Sequence, residues 1–359
     1  MSALFLVLIG SSFLLSILLH TFYVFSNFGI QDIPNERSLH TERTKKSGGM
    51  VFIPCFLISV FLWLLLEQTD VISFIPKFPA EPKMYYFIFG LVFFCMLGFF
   101  DDIFHLTPII RLLLEYSVVF YLLHALKFQF SLFGIQIGNE WIHLLLGSTT
   151  IVFFINLINF MDGLDLYLVG TLALGFLFLP VLLGISFQME VSYALIPFLF
   201  CVSLSGFAFY NYPKAKLFMG DSGSLSIGFF LAFLPLCFQK ESLGKVSDSI
   251  FIYFFLSPTF WTDGLITLFV RAIQKKSLFS AHREHLYQYL TELKITKAMV
   301  CLIMVFSNLP AWSLLLCYQL GFIKTDLSSE GWMLLIIFLY VVVYVFVRQS
   351  VLNRRKNIA

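Results

Sequence analysis

The sequence predicts an all-α protein that crosses a membrane about ten or eleven times. Of its 359 residues, 59% are hydrophobic and only 12% are charged, and the mean hydropathy is +0.89. A soluble domain is about 45–50% apolar and about 25% charged, so the composition excludes a soluble globular protein. The near balance of 23 Lys and Arg against 21 Asp and Glu also excludes the dense basic surface of a nucleic-acid-binding protein.

The apolar residues fall into eleven segments that are candidates for spanning helices. A spanning helix uses about 20 residues, and backbone polar groups left bare in hydrocarbon favour helices over open sheet. The segments are residues 3–25, 50–66, 84–100, 108–126, 141–160, 166–185, 191–209, 222–239, 248–270, 297–319 and 331–348. They leave no room for a large soluble domain, so we expect a single transmembrane domain over residues 1–359.

The basic residues are concentrated in alternate loops. Of the 23 Lys and Arg residues, 17 lie in residues 26–49, 101–111, 210–221, 271–297 and the tail from Arg348. Basic residues are enriched in cytoplasmic loops, so we expect these loops and the C-terminus inside the cell. The first basic cluster follows the first apolar segment, whereas a secretory signal has its basic residues in front. We therefore expect an uncleaved first span with its N-terminus outside.

One of the predicted outer loops has the pattern of a short hairpin. Residues 128–140 alternate weakly between apolar and polar side chains and contain two glycines. This pattern is typical of two short strands joined by a turn.

Adjacent carboxylates end the third apolar segment. Asp101 and Asp102 follow the run LVFFCMLGFF. Two neighbouring ionised carboxylates repel each other, and a divalent cation or a retained proton would relieve that repulsion. A solvated helix end is the alternative explanation.

A second polar stretch ends the fifth segment. Asn156, Asn159 and Asp162 recur every three residues, and Asp165 follows. On a helix this spacing gives one polar stripe with carboxylates at its end. Asparagines inside a span are costly unless they are paired, so helix–helix hydrogen bonding is the alternative to a binding wall.

The stretch NYPKAKLFMGDSGSLSIG at residues 211–228 is the most specific signal. Pro213 is expected to end a helix, and a new helix is expected to begin near Leu225. A glycine- and serine-rich turn before a helix offers backbone N–H groups to a phosphate. Asp221 within that turn is placed to hold a hard cation through oxygen. An ordinary loop is the alternative.

Asp263 lies within the ninth apolar segment, two turns before Arg271 and so ~12 Å deeper along a helix. An intramembrane carboxylate is a candidate functional residue. The alternative is a buried pair with an amide or a hydroxyl on another span.

Two cationic loops complete the predicted inner face. In one, His282, Arg283, Glu284 and His285 follow two lysines, and basic and imidazole groups together suit a diphosphate. The other consists of His40, Arg43, Lys45 and Lys46 before two glycines. A solvated basic loop is the alternative for the first and a positive-inside anchor for the second.

Carboxylates that hold a metal, together with cations that hold phosphates, are the parts needed for phosphoryl transfer. The membrane setting suggests that one substrate is a lipid. A proton-coupled transporter that uses Asp162, Asp221 and Asp263 as a relay and a non-catalytic scaffold are the alternatives.

These motifs resemble those of the polyprenyl-phosphate N-acetylhexosamine-1-phosphate transferases of glycosyltransferase family 4. The motifs are Asp101-Asp102, NLINFMDGLD at 156–165, NYPKAKLFMGDSGSL at 211–225, Asp263 with Arg271, and HREHL at 282–286. The histidine loop is more similar to the O-antigen-initiating branch than to the muramoyl-pentapeptide branch.

The resemblance implies transfer of an N-acetylhexosamine-1-phosphate, or a 6-deoxy variant, from a UDP-sugar to undecaprenyl phosphate. UMP is released, and the cofactor is Mg²⁺, or alternatively Mn²⁺. It also implies a bacterial inner-membrane protein that initiates a lipid-linked surface glycan such as O-antigen, and a homodimer is common among relatives.

The resemblance further implies a set of site residues. The metal would be held by Asp221, Asn156 and Asp162. The catalytic residues would be Asp101, Asp102, Asp162 and His285, with the aspartate pair acting as base or as cation holder. The nucleotide-sugar would be bound by Asn156, Asp165, Asn211, Phe218, His282 and Arg283, with Phe218 stacked on uracil and loop 271–297 recognising the sugar.

Two positions depart from the family pattern. Leu166 follows Asp165 where the family usually has glycine. Lys45-Lys46-Ser47 precedes Gly48-Gly49 where the family usually has Pro-Arg.

Overall fold

The computed structural model describes residues 3–33, 42–67, 77–79, 81–128, 131–132, 135–136, 139–187, 191–237, 251–277 and 282–358. These residues form a helical bundle with two small two-stranded sheets. The elements are α1 (Ala3–Phe25), β1 (Gln31–Asp32), β2 (Thr44–Lys45), α2 (Gly49–Glu67), α3 (Pro82–Phe104), α4 (Pro108–Ala125), β3 (Ser131–Leu132), β4 (Ile135–Gln136), α5 (Glu140–Met161), α6 (Tyr167–Phe187), α7 (Val191–Ser203), α8 (Ser205–Asn211), α9 (Gly220–Cys237), α10 (Ile252–Leu256), α11 (Pro258–Ile273), α12 (Leu286–Glu292), α13 (Lys297–Phe306), α14 (Leu309–Gln319) and α15 (Ser329–Ile358).

The predicted all-α membrane fold is confirmed. Within the described part of the chain, nine helical stretches are long and apolar enough to span a membrane. Two of them are the pairs α7–α8 and α13–α14, each counted as one stretch. The other two predicted segments correspond to α6 and to α10 with α11, which are separated at Ser257.

Both small sheets are formed by residues of the loops between helices. The predicted outer hairpin is present, since β3 and β4 pair antiparallel with Leu132 opposite Ile135. The sequence did not predict that β1 would pair with β2. Lys45 of β2 also bridges to Leu217, which fixes this loop beside the start of α9. His40, part of the predicted cationic loop, lies outside the described residues.

Helix α9 forms the centre of the bundle. Of its residues, 89% are buried, and it packs mainly against α3, α5 and α2. Two glycines permit the close approach at its first turn. A Cβ on Gly98 would lie 2.2 Å from the Asp221 carbonyl oxygen, and one on Gly49 would lie 2.3 Å from the Gly223 nitrogen.

The start of α9 differs from the sequence prediction. The helix begins at Gly220, whose φ is +70°, rather than near Leu225. The Asp102 carboxylate accepts hydrogen bonds from the backbone N–H groups of Asp221 and Ser222. A carboxylate from α3 therefore caps this helix, which allows the glycine- and serine-rich stretch to be helical instead of forming a loop. The same contacts place a protein carboxylate where a phosphate was expected.

We expect Gly98→Ala to destabilise the protein because the added methyl group collides with the backbone of α9. Overpacking of a close contact costs about 1–3 kcal/mol, so thermal unfolding of the purified protein should begin at a lower temperature. Gly10→Ala is the matched control, since a Cβ at Gly10 meets nothing within 4 Å. Equal melting temperatures for the two variants would contradict this account of the packing.

Candidate active site

A cavity of 410 Å³ lies where the polar ends of α3, α5, α8 and α9 meet. Five of its lining residues are acidic and two are lysines. Three others belong to the predicted polar stripe or to the predicted nucleotide-binding residues. These are Asp32, Asp102, Asp162, Asp165 and Asp221; Lys46 and Lys297; and Asn159, Asn211 and Phe218. Side chains far apart in the sequence thus share one space.

Asp102 is buried at the wall of the cavity. Its carboxylate accepts a hydrogen bond from Ser47 Oγ at 2.7 Å and lies 3.3 Å from Lys46 Nζ. Together with the two backbone N–H groups of α9, these contacts occupy both carboxylate oxygens. Asp102 therefore connects the Lys46 loop, α3 and α9.

Asp101 points to a different partner. It accepts hydrogen bonds from Arg111 Nη1 and from the Leu106 backbone N–H, both at 2.8 Å. The same guanidinium donates to Asn156 Oδ1 at 3.2 Å and lies 3.9 Å from Asp221 Oδ2. Arg111, at the start of α4, thus links α3, α5 and α9.

Glu115 is a residue of this network that the sequence motifs did not indicate. It is fully buried, accepts a hydrogen bond from Asn156 Nδ2 and lies 3.5 Å from Arg111 Nε. Asn156 is consequently held by Glu115 and Arg111, and it is not among the described residues that line the cavity. The sequence does contain a pattern that indicates Glu115, since it is a charged residue within an apolar span and lies four residues after Arg111.

Asp162 and Asp165 line the cavity at the end of α5. Asp162 is the residue at the C-terminal cap of that helix. Burial and the neighbouring carboxylates of Asp165 and Asp102 raise the pKa of Asp162 to about 7. The carboxylates that line this part of the cavity therefore repel one another when they are ionised.

Asn211 and Phe218 also line the cavity, and Asn211 contacts the loop that follows Asp165. Asn211 Oδ1 accepts from the Leu166 backbone N–H at 2.7 Å, and its Nδ2 donates to the Leu217 carbonyl at 2.9 Å. Leu166 has a φ of +59°, so a leucine adopts the left-handed conformation that favours glycine. Asn211 holds this loop, and Phe218 lines both the main cavity and an adjoining cavity of 560 Å³.

The histidine loop reaches the cavity through α12. Tyr287 and Gln288 line the cavity, whereas His282, Arg283 and His285 are not among its described lining residues. The His285 ring stacks on Tyr287, with 5.9 Å between ring centroids.

The charge of the histidine loop differs from the expectation. Burial, His285 and Arg271 lower the pKa of His282 to about 4. His282 is therefore neutral at pH 7 and adds no positive charge for a diphosphate, whereas the exposed Arg283 is a cation in the same tetrapeptide.

Asp263 and Arg271, which lie two turns apart in the motif, have separate partners. Asp263 is fully buried and accepts hydrogen bonds from Tyr344 OH at 2.6 Å and from the Leu286 backbone N–H. Arg271 instead pairs with Glu284 at 3.0 Å. The alternative of a buried carboxylate paired with a hydroxyl on another span describes Asp263.

The donors at the cavity fit a hard divalent cation. No group of three His, Cys, Asp or Glu side chains within the described ranges forms a preassembled metal site. Mg²⁺ commonly takes one or two carboxylates and completes its shell with water and substrate phosphates. Asp221 is suited to this mode, because its side chain is 34% exposed and lines the same cavity as Asp162. The excess of carboxylates over cations also favours a bound cation.

The chain is also similar in sequence to known proteins. The model of glycosyl transferase family 4 matches residues 84–239, which contain both aspartate motifs and the start of α9. The undecaprenyl-phosphate alpha-N-acetylglucosaminyl 1-phosphate transferase of Thermotoga maritima is 30% identical over 263 residues, which is 73% of this chain and 75% of the relative.

Two further relatives carry related names. The probable undecaprenyl-phosphate N-acetylglucosaminyl 1-phosphate transferase of Bacillus subtilis is 26% identical over 304 residues, covering 82% of this chain and 75% of the relative. The phospho-N-acetylmuramoyl-pentapeptide-transferase of Campylobacter lari is 28% identical over 253 residues, covering 58% and 64%. The chain therefore belongs to glycosyl transferase family 4, as a multi-pass membrane member of its polyprenyl-phosphate sugar-1-phosphate transferases.

Proposed function

We propose that the protein transfers an N-acetylhexosamine-1-phosphate, or a 6-deoxy variant, from a UDP-sugar to undecaprenyl phosphate and releases UMP. The observation that carries this proposal is the shared cavity. Asp102, Asp162 and Asp221 line it together with Lys46 and Lys297. The names of the Thermotoga and Bacillus relatives support the lipid acceptor and the transferred sugar phosphate.

An N-acetylglucosamine-type donor is the preferred substrate in this proposal. The two N-acetylglucosaminyl transferases match 73% and 82% of the chain, whereas the Campylobacter pentapeptide transferase matches 58%. The product would then initiate a lipid-linked surface glycan such as O-antigen. The HREHL loop at 282–286 supports this branch by resemblance.

The reaction exchanges one phosphoanhydride for another. An oxygen of the lipid phosphate attacks the phosphorus that carries the sugar, and a P–O bond forms. The bond from that phosphorus to the bridging oxygen breaks, and UMP leaves with the electron pair. The acceptor phosphate has a second pKa near 6 and is mostly ionised at pH 7, so a general base need contribute little.

The chain's own residues would orient these charges. Asp101 accepts a hydrogen bond from Arg111, and Asp102 forms an ion pair with Lys46. These contacts support a positioning role for the two aspartates over a role as base. Lys46 and Lys297 line the cavity and would attract the phosphate groups. Phe218 presents a ring on which uracil would stack.

Asp221 and Asp162 would hold Mg²⁺, or Mn²⁺, through carboxylate oxygen. The ion, when bound, neutralises the diphosphate and stabilises the charge that develops on UMP.

The active end of the bundle would face the cytoplasm, with the N-terminus outside and the C-terminus inside. The basic loops that surround the cavity support this orientation through the positive-inside rule. The carboxylates gather at helix ends, whereas a transporter relay would need them at mid-depth with access to both faces.

Release of UMP by the purified protein tests the proposed function. The protein would be incubated with undecaprenyl phosphate, Mg²⁺ and one member of a panel: UDP-N-acetylglucosamine, 6-deoxy-N-acetylhexosamine donors, or UDP-N-acetylmuramoyl-pentapeptide. We expect UMP with an N-acetylhexosamine donor, and no UMP when the lipid is omitted. Inverted vesicles should consume added donor while right-side-out vesicles should not. Absence of UMP with every donor would refute the proposal.

Asp221→Asn should reduce turnover by about 100-fold or more, because loss of a metal ligand removes charge stabilisation in the transition state. Binding of Mn²⁺, followed by electron paramagnetic resonance, should weaken in parallel. The control is Asp326→Asn, an exposed residue between α14 and α15. Turnover close to wild type in Asp221→Asn would exclude its role at the metal.

Glu115→Ala should destabilise the protein by about 3–5 kcal/mol, since it leaves the Arg111 charge partly buried with one partner fewer. Glu115→Gln keeps an acceptor for Asn156 and should be milder. Thermal unfolding measures both effects. Glu140→Ala is the control, because that carboxylate is exposed and pairs only with the exposed His124 among the described residues. A Glu115→Ala protein as stable as the control would contradict the proposed network.

A further inference from the structure

The last helix reaches into the protein interior near its C-terminal end. Arg348 of α15 is only 5% exposed. Its guanidinium donates to Thr267 Oγ1 of α11 at 2.8 Å and to the Glu284 carbonyl at 2.8 Å. The same group lies 3.3 Å from Asp263 Oδ1. One side chain therefore connects α15 and α11 to the histidine loop.

Asp263 links Arg348 to α12. Its carboxylate accepts a hydrogen bond from Tyr344 OH of α15 and from the backbone N–H of Leu286, the first residue of α12. His285 Nδ1 lies 3.5 Å away. A buried carboxylate at the start of a helix both satisfies backbone donors and interacts favourably with the helix dipole.

Helix α15 also contacts the far end of α12. Arg355 Nε lies 2.5 Å from Glu292 Oε2. The guanidinium groups of Arg348 and Arg355 lie over the Tyr289 ring at 5.5 and 5.0 Å from its centroid. Cation–π contacts of this kind contribute about 0.5–2 kcal/mol each. Both ends of the short helix are therefore attached to α15.

The opposite side of α12 belongs to the cavity. Tyr287 and Gln288 line it together with Asp162 and Asp221. Helix α12 has only seven residues, and isolated helices of this length are unstable in water. Its place in the cavity wall must therefore depend on tertiary contacts. Leu286 and Leu290 pack in the apolar core and α12 contacts α13, whereas the polar contacts described above come from α15 and Asp263.

We propose that Arg348 is a positioning residue for donor binding. Acting through Asp263 and the Glu284 carbonyl, it fixes residues 282–292, here called the recognition segment, against the cavity. Arg348 itself does not line the described cavity, so it exerts its effect through Tyr287 and Gln288, which do. This inference rests on the proposed function in taking a UDP-sugar as the ligand of the cavity.

Hydrogen exchange and kinetics on the full-length protein test the proposal. In Arg348→Ala without substrate, amides of 286–292 should exchange about tenfold faster, while those of 156–166 should keep their wild-type rates. KM for the UDP-sugar should rise about tenfold, and KM for undecaprenyl phosphate should stay within about twofold. Arg348→Lys keeps the charge but not the forked donors and should give intermediate values.

Arg354→Ala is the matched control, since it removes the same charge from an exposed position on the same helix. If Arg348→Ala does not fold, Arg348→Lys and Tyr344→Phe are measured in the same way. Unchanged exchange in 286–292 together with an unchanged donor KM would overturn the proposal. Faster exchange throughout the protein with both KM values raised equally would also overturn it, because that pattern indicates a general structural role.

Failure of the proposed function gives a different result. In that case the wild-type protein releases no UMP with any donor, whereas the exchange comparison of Arg348→Ala with Arg354→Ala still shows whether α15 holds the recognition segment.

Discussion

The capping of α9 by Asp102 is the interaction on which the site depends. Helix α9 is the buried centre of the bundle, and its N-terminus opens into the cavity. An uncapped buried helix end would leave backbone N–H groups without acceptors. The Asp102 carboxylate supplies those acceptors and is itself held by Ser47 and Lys46. The position of Asp221 in the first turn of α9 therefore follows from a carboxylate on α3 and from the glycines that let the two helices approach.

Charge balance is the second constraint at this end of the bundle. Carboxylates that line one cavity repel each other, and their desolvation adds to the cost. Arg111 offsets part of this repulsion by bridging Asp101 and Asn156 and by lying near Asp221. Glu115 in turn compensates the partly buried guanidinium. The arrangement leaves Asp221 as a carboxylate that is partly exposed to the cavity, which is the condition for binding a cation together with a substrate.

The sequence predicted the elements of this architecture better than their connections. Apolar length and the run MGDSGS sufficed to predict the bundle and to single out Asp221, because both are local patterns. The capping role of Asp102 was not predictable, since it depends on where α3 and α9 meet. Glu115 was detectable as a charge within a span, but its partner Asn156 lies 41 residues away. The pairing of Asp263 with Tyr344 was likewise not predictable, since the two residues are 81 positions apart in the sequence.

The structure divides the site into two parts with different means of support. The carboxylates and Arg111 lie at the ends of long packed helices, whose relative positions are fixed by close backbone contacts such as that of Gly98 with Asp221. The recognition segment, in contrast, contains a short helix whose apolar side chains, such as Leu286 and Leu290, pack in the core, and polar side chains attach it to α15 and α11. Such contacts can be changed one side chain at a time without disturbing the apolar bundle. In the proposed function, the phosphate chemistry belongs to the rigid part and the sugar contacts to the attached part, so such a transferase would change donors while the reaction stays the same.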